Sequence, residues 1–91
     1  MNLASVDLNL LVVFEALYQT RNVTAAGRRL NRAQPSVSNA LARLRILLND
    51  PLFVRSGGGM SPTPRAHQLM PQIQQVLEQI HLALAPLPVS I

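Results

Sequence analysis

The chain has 91 residues, no cysteine, and eight arginines against four acidic residues, giving a formal net charge of +4. A chain of this length forms one domain with a modest core, and the lack of cysteine excludes disulfides, thiolate zinc sites and cysteine nucleophiles. The sequence has neither a membrane-spanning apolar run nor the charged start of a signal peptide, so we expect a cytoplasmic protein. It also lacks a cluster of catalytic or metal-ligating residues, so we expect no enzyme, no cofactor and no metal site.

The positive charge is concentrated in the middle of the chain. All eight basic residues are arginines between Arg21 and Arg65, an interval in which Asp50 is the only acid. A patch of this kind is typical of proteins that bind polyanions, although a basic surface without a partner is the alternative.

The first two predicted helices are short and close together. Asp7 is the predicted N-cap of a helix that runs to about Thr20 and buries an apolar face. After a break at 21–22, Thr24 is the predicted N-cap of a second helix, which ends near Leu30. A third helix follows after about three residues. Small residues at 25–27 let another helix approach, so we predict a helix-turn-helix over residues 23–42.

The third helix, predicted over residues 34–49, is amphipathic. Its apolar stripe consists of Val37, Leu41, Leu44 and Leu48. Rotation by 100° per residue places Ser36, Asn39 and Arg43 on the opposite face. A hydroxyl, an amide and a guanidinium suit hydrogen bonds to phosphates and base edges, whereas the simpler interpretation is a solvated polar face.

Residues 52–62 are predicted to form a β-hairpin, which beside a helix-turn-helix is a wing. The segment 52–55 is apolar and β-prone, the glycine-rich segment 56–59 favours a turn, and Met60-Ser61 can return as a second strand. The triple glycine could instead be a phosphate-binding loop, but it lacks the Lys-Ser/Thr pair and the preceding βαβ unit of a P-loop.

Residues 64–86 are predicted to form a long helix, capped by Thr63, interrupted by Pro71 and followed by a tail at 87–91. Its apolar side chains recur in steps of three and four, which predicts a dimerisation helix. The predicted interface residues are Leu69, Ile73, Val76, Ile80 and Leu84. The alternative is that this helix folds back over its own domain.

The segments QPSVSNALARLR and DPLFVRSGGGMSPTPRA, and the whole string from Val23 to Ala66, resemble the N-terminal DNA-binding domain of LysR-type transcriptional regulators. The branch with nodulation and aromatic-catabolism regulators is the most similar. The resemblance implies a mainly α fold with a small β-hairpin, namely a winged helix-turn-helix at 6–63 followed by a linker helix that pairs two subunits. It also implies a C-terminal effector-binding domain, absent from these residues, through which alone a small-molecule inducer would act.

The resemblance further implies where DNA would lie. It puts the start of the third helix against the major groove, Arg55 in the wing near the minor groove, and Thr24 near the backbone. We therefore expect base readout by Gln34, Pro35, Ser36 and Asn39. Contacts with phosphates or from the wing are expected from Thr24, Arg32, Ser38, Arg43 and Arg55.

Three departures from the family pattern bear on these expectations. Gly58 stands where many members carry a second basic residue of the wing, so the wing is expected to bind DNA less strongly. Arg32 stands where an apolar residue is usual and adds a charge that can reach phosphate. Ala33 stands where a small hydroxyl residue is frequent, which weakens the cap of the third helix.

Together these patterns predict a sequence-specific domain that binds double-stranded DNA. A homodimer would bind an interrupted inverted repeat, and a tetramer is possible in a full-length protein. Two alternatives remain, namely a winged helix that binds other proteins and an architectural protein that binds DNA without sequence preference.

Overall fold

The computed structural model describes residues 1–86. In this range a short 3-10 turn precedes four α-helices and one two-stranded antiparallel hairpin, so the predicted fold class is confirmed. The elements are α1 (Asn9–Thr20), α2 (Val23–Leu30), α3 (Gln34–Leu48), β1 (Phe53–Ser56), β2 (Gly59–Pro62) and α4 (Pro64–Leu84).

The core forms around α1, which packs against each of the other three helices. The α3 stripe contributes to this core, because Val37, Leu41 and Leu44 are buried and Leu48 is half-buried. The largest fully buried side chains are Val13, Phe14, Leu17, Val37, Leu44, Leu52 and Phe53. Each such side chain contributes roughly 1.5–3 kcal/mol when it leaves water, so this core fixes α3 with its apolar stripe inward.

The first two helix caps differ from those predicted from the sequence. The N-cap of α2 is Asn22, in extended conformation, and its side-chain oxygen accepts a hydrogen bond from the Ala25 N–H at 2.8 Å. Thr24 lies inside the first turn, so its prediction as the cap was wrong. α1 begins one residue later than predicted, with Leu8 at the N-cap position, but the Asp7 carboxylate still accepts a hydrogen bond from the Asn9 N–H.

Asp50 organises the base of the hairpin. Its Oδ2 accepts hydrogen bonds from the Leu52 N–H and the Thr63 hydroxyl, both at 2.8 Å. These bonds hold Leu52 at a φ of +64°, a left-handed conformation that costs a branched residue on the order of 1–3 kcal/mol. Thr63 also accepts a hydrogen bond from the Ala66 N–H, as predicted for the cap of α4. One carboxylate therefore joins the end of α3, the hairpin and the start of α4.

Two glycines permit close backbone approaches that set the spacing of the elements. A Cβ at Gly27 would lie 2.7 Å from the Arg32 carbonyl oxygen, and one at Gly59 would lie 2.5 Å from the Arg21 carbonyl oxygen. The Met60 N–H donates to that same Arg21 oxygen at 2.8 Å. The hairpin is thereby fixed against the junction of α1 and α2.

The long helix α4 continues through Pro71, and its two halves have different surroundings. Ala66, Met70 and Ile73 are buried in the first half, where α4 packs against α1. In the second half Val76 is 44% exposed and Leu84 is 79% exposed.

This division corrects the predicted dimer interface. Ile73, only 6% exposed, belongs to the core of its own domain, and Leu69 is half-buried against that core. The fold-back interpretation is thus right for the first half of α4, whereas Val76 and Leu84 are exposed and Ile80 is half-buried. The predicted tail at 87–91 lies outside the described residues. None of the helices between residues 1 and 86 is long and apolar enough to cross a membrane.

Candidate nucleic-acid interface

The outer face of α3 carries the residues predicted to read bases. Gln34 and Pro35 form its first turn, and the polar side chains of Ser36 and Asn39 are exposed on the side opposite the buried stripe. Ser38 is also exposed, at the edge of this surface. We refer to the exposed positions 34, 35, 36, 38, 39 and 43 as the α3 outer face. The structure therefore brings the predicted base readers together on one rigid element.

The start of α3 has no side-chain cap. Ala33 is extended, with φ −67° and ψ 148°, and makes no side-chain hydrogen bond to the first turn. Its carbonyl accepts hydrogen bonds from the Ser36 and Val37 N–H groups. Because Pro35 has no N–H and these two groups are already bonded, the start of α3 favours a nearby anion mainly through the helix dipole.

Thr24 and Gln34 connect the starts of α2 and α3. The Thr24 hydroxyl donates to the Gln34 side-chain oxygen at 3.3 Å, and both residues are exposed. They border an open cleft whose other wall is the wing, formed by Arg55 and the glycine turn. The base-reading end of α3 and the wing therefore face a common space.

The wing is a regular hairpin with a two-residue turn. Phe53 pairs with Pro62 and Ser56 pairs with Gly59, so the turn consists of Gly57 and Gly58. Gly57 has a φ of +59°, which glycine adopts without the strain of a side chain. Arg55 is exposed on β1.

Three arginines donate hydrogen bonds to uncharged groups elsewhere in the chain. Arg21 donates to the Tyr18 carbonyl at 2.7 Å, and Arg29 donates to the Gln19 side chain at 2.6 Å. Arg45 donates to the carbonyls of Pro51 and Phe53 at 2.8 and 2.7 Å. Arg45 thus stabilises the loop before the wing, which agrees with its position near the packed side of α3.

Arg43 forms an ion pair with Asp7, with 3.3 Å between Nη1 and Oδ2. The side chains are 53% and 42% exposed, respectively. An ion pair this exposed contributes little stability because water screens it. Arg43 can therefore exchange the carboxylate for another anion at small cost.

The remaining arginines are free of such partners. Within residues 1–86, no side-chain hydrogen bond or ion pair to protein involves Arg28, Arg32, Arg55 or Arg65. Arg32 is half-buried in the connection before α3, and the other three are exposed. Two of the predicted phosphate-binding residues, Arg32 before α3 and Arg55 on β1, therefore have no competing side-chain hydrogen bond or ion pair among the described residues.

Three polar roles were missed from the sequence. Asp7 and Arg43 are 36 positions apart in the sequence, so no local pattern predicts their ion pair. The contact between the Tyr18 hydroxyl and His67 Nδ1, at 2.8 Å, spans 49 positions and joins α1 to α4. Asn22 could have been identified as the N-cap of α2, because asparagine is among the best N-cap residues.

No group of three or more potential metal ligands comes together in the part of the chain that the structure describes.

The chain matches the family model of the bacterial regulatory helix-turn-helix proteins of the lysR family over residues 8–67. It is 51% identical to the HTH-type transcriptional regulator LeuO of Escherichia coli (strain K12) over 78 residues, which are 86% of this chain and 25% of that protein. It is 48% identical to nodulation protein D 2 of Rhizobium tropici over 84 residues, 92% of this chain and 27% of that protein. The chain thus spans about a quarter of the length of these relatives.

Solved structures agree with this assignment. A probable transcriptional regulator from Pseudomonas aeruginosa superposes with a TM-score of 0.87 at 40% identity, covering 98% of this chain and 30% of that one. The CbnR DBD in its complex with DNA superposes with a TM-score of 0.80 at 26% identity, covering 86% of this chain and 90% of that one. The predicted resemblance is confirmed, and the chain belongs to the lysR family of bacterial regulatory helix-turn-helix proteins.

Proposed function

We propose that this domain binds double-stranded DNA with sequence specificity, as a homodimer on an interrupted inverted repeat. The observation that carries the proposal is the α3 outer face, where hydroxyl and amide groups are exposed on a helix whose opposite side is fully packed. A helix of this shape fits the major groove of B-DNA, which carries a distinct hydrogen-bond pattern for each base pair.

Base readout is assigned to the first turns of α3. Side-chain amides such as those of Gln34 and Asn39 can pair with the N6 and N7 atoms of adenine. Ser36 can donate to a base or a phosphate, and Pro35 offers an apolar surface to a thymine methyl group. Together these side chains give the domain its sequence preference.

Affinity for the DNA backbone is assigned to arginines and a serine on or near the α3 outer face. Arg55 would approach DNA from the wing, and Arg32 from the connection before α3. Ser38 would donate to phosphate at the edge of the α3 outer face, and Arg43 would do so after leaving Asp7. Phosphate contacts set the salt dependence of binding but carry little sequence information.

Dimerisation is assigned to the second half of α4, where Val76 and Leu84 are exposed and Ile80 is half-buried. Pairing two copies there would present two α3 helices to one side of DNA, about one helical turn apart or a multiple of it. Any tetramer, and any response to a small-molecule inducer, would depend on residues outside this chain.

A binding selection tests the proposal directly. The 91-residue chain is titrated against a pool of random duplexes at two salt concentrations, and the bound fraction is sequenced. We expect enrichment of an interrupted inverted repeat and weaker binding at the higher salt concentration, because cations condensed on DNA are released on binding.

The alternatives give different results in the same experiment. Binding without enrichment would identify an architectural DNA-binding module. A chain that self-associates but binds no duplex even at low salt would identify a protein-interaction module. Gln68→Ala, which removes an exposed amide from α4, is the control and should give the wild-type pattern.

A further inference from the structure

We propose that Thr24 is a positioning residue that fixes the orientation of the Gln34 amide and thereby sets the base preference that Gln34 imposes. This inference rests on the proposed function, because it concerns how one base reader works. It differs from the expectation that Thr24 binds a DNA phosphate. The carrying observation is the hydrogen bond from the Thr24 hydroxyl to the Gln34 side-chain oxygen, at 3.3 Å.

The two side chains stand on backbone whose separation is fixed. The turn between α2 and α3 is closed by a hydrogen bond from the Arg32 N–H to the Gly27 carbonyl at 2.8 Å, with Asn31 in the left-handed conformation. Gly27 lies so close to the Arg32 carbonyl that no side chain fits between them. Since α2 and α3 also pack against α1, the starts of the two helices keep their relative position.

The hydroxyl of Thr24 has a single proton, which it can donate to only one acceptor at a time. Phosphate oxygens in DNA only accept hydrogen bonds, so a threonine hydroxyl must donate its proton to bind them. In this structure that proton is donated to Gln34. While Thr24 donates this proton to the Gln34 oxygen, it cannot donate the same proton to a phosphate.

The orientation of a glutamine amide matters because its two ends are nearly equal in size and opposite in function. The oxygen accepts hydrogen bonds and the nitrogen donates two. With the oxygen of Gln34 held on the side of Thr24, the amide presents its acceptor and its donors to the groove in a fixed order. Adenine presents the donor N6 next to the acceptor N7, so a fixed order distinguishes the two orientations of an A·T pair.

Replacing Thr24 by valine tests this role, because valine keeps the branched shape and removes the proton. We expect Thr24→Val to relax the base preference at a single position of each half-site, by roughly 2- to 10-fold, the range of one net hydrogen bond. Affinity for random duplex should stay the same. The control Thr24→Ser retains a hydroxyl and should retain the preference at that position.

A comparison of Gln34→Ala with the double variant is the second test of this role. If Thr24 acts through Gln34, adding Thr24→Val to Gln34→Ala should cause no further change in preference. Thr24→Ala serves as a second hydroxyl-free variant, and circular dichroism with thermal melting establishes that each variant is folded.

The possible failures are distinguishable. An unchanged preference in Thr24→Val, or an equal loss of affinity on selected and random duplexes, would overturn the positioning role and leave sequence-specific binding intact. If the wild-type chain enriches no sequence at all, the proposed function fails, and the inference that rests on it fails as well.

Discussion

The α3 outer face and the second half of α4 are both exposed, but only the first is made of groups that form hydrogen bonds with water. The α3 outer face exposes hydroxyls, amides and a guanidinium. Water forms hydrogen bonds with these groups until another polar surface takes its place. The second half of α4 exposes branched apolar side chains, which water does not satisfy. The first surface can remain open in a stable monomer, whereas burying the second stabilises any assembly that covers it.

The first half of α4 sharpens this contrast, because the same helix passes from a covered to an uncovered environment. Ile73 packs into the core beside α1, and three residues later Val76 is 44% exposed. One continuous apolar pattern along the sequence therefore serves two purposes. Its first part stabilises the domain, and its second part is exposed to solvent.

The largest expected effect comes from the covered part of α4. Ile73→Ala should lower the free energy of unfolding by about 2–5 kcal/mol, because it removes buried contacts and leaves a cavity. Val76→Ala is the matched control and should lower it by much less. Urea denaturation at a protein concentration where the chain is monomeric measures both values without a contribution from dimerisation. Equal losses for the two variants would mean that Val76 is as buried within its own domain as Ile73, and that the helix is not divided in this way.

The uncovered part should control assembly instead. Val76→Glu should weaken self-association by roughly 1.5–3 kcal/mol or more, about the value of burying one valine side chain. Sedimentation over a concentration series measures the shift toward monomers. The monomeric fold should persist, as judged by circular dichroism. A wild-type sedimentation profile would exclude Val76 from the interface, and a loss of helical signal would assign it to the fold.

Base readout should depend on the α3 outer face without affecting either fold or assembly. Asn39→Ala should cost about 1–3 kcal/mol of affinity at the preferred site and relax the preference there, because an amide that pairs with a base is lost. Fluorescence anisotropy with the selected and a scrambled duplex measures the two affinities. Equal losses on both duplexes would show that Asn39 contributes to affinity but does not read sequence.

The elements of the fold could be predicted from the sequence because each has a local signature. The apolar stripe of α3 and the glycine turn of the wing are local patterns, and the structure contains both. Thr63 also caps α4 as its sequence context suggests. The cap of α2 was misassigned to Thr24 because two good capping residues lie two positions apart, and only the extended backbone at Asn22 decides between them.

The boundary within α4 could not be predicted, for a different reason. A heptad-like pattern indicates one apolar stripe but not what covers it, and here the answer changes along the helix from the chain's own core to solvent. The contacts of Arg43 and Arg45 follow the same rule. Helical rotation distinguishes their faces, but their partners Asp7, Pro51 and Phe53 are set by tertiary packing.

The smallest predicted effect concerns Asp7, which competes with DNA phosphate for Arg43. Asp7→Asn should raise the affinity for every duplex by roughly 0.2–1 kcal/mol, the range of an exposed ion pair, and should leave sequence preference unchanged. Asparagine retains an oxygen that can accept the hydrogen bond from the Asn9 N–H, so the start of α1 should be preserved.

The control Glu78→Gln makes the same change in net charge on α4, where the residue is exposed. If Asp7 acts on Arg43, the gain from Asp7→Asn should exceed that from Glu78→Gln and should disappear in an Arg43→Ala background. Equal gains from the two substitutions would mean that only net charge matters. In that case the Asp7–Arg43 pair would not modulate DNA binding.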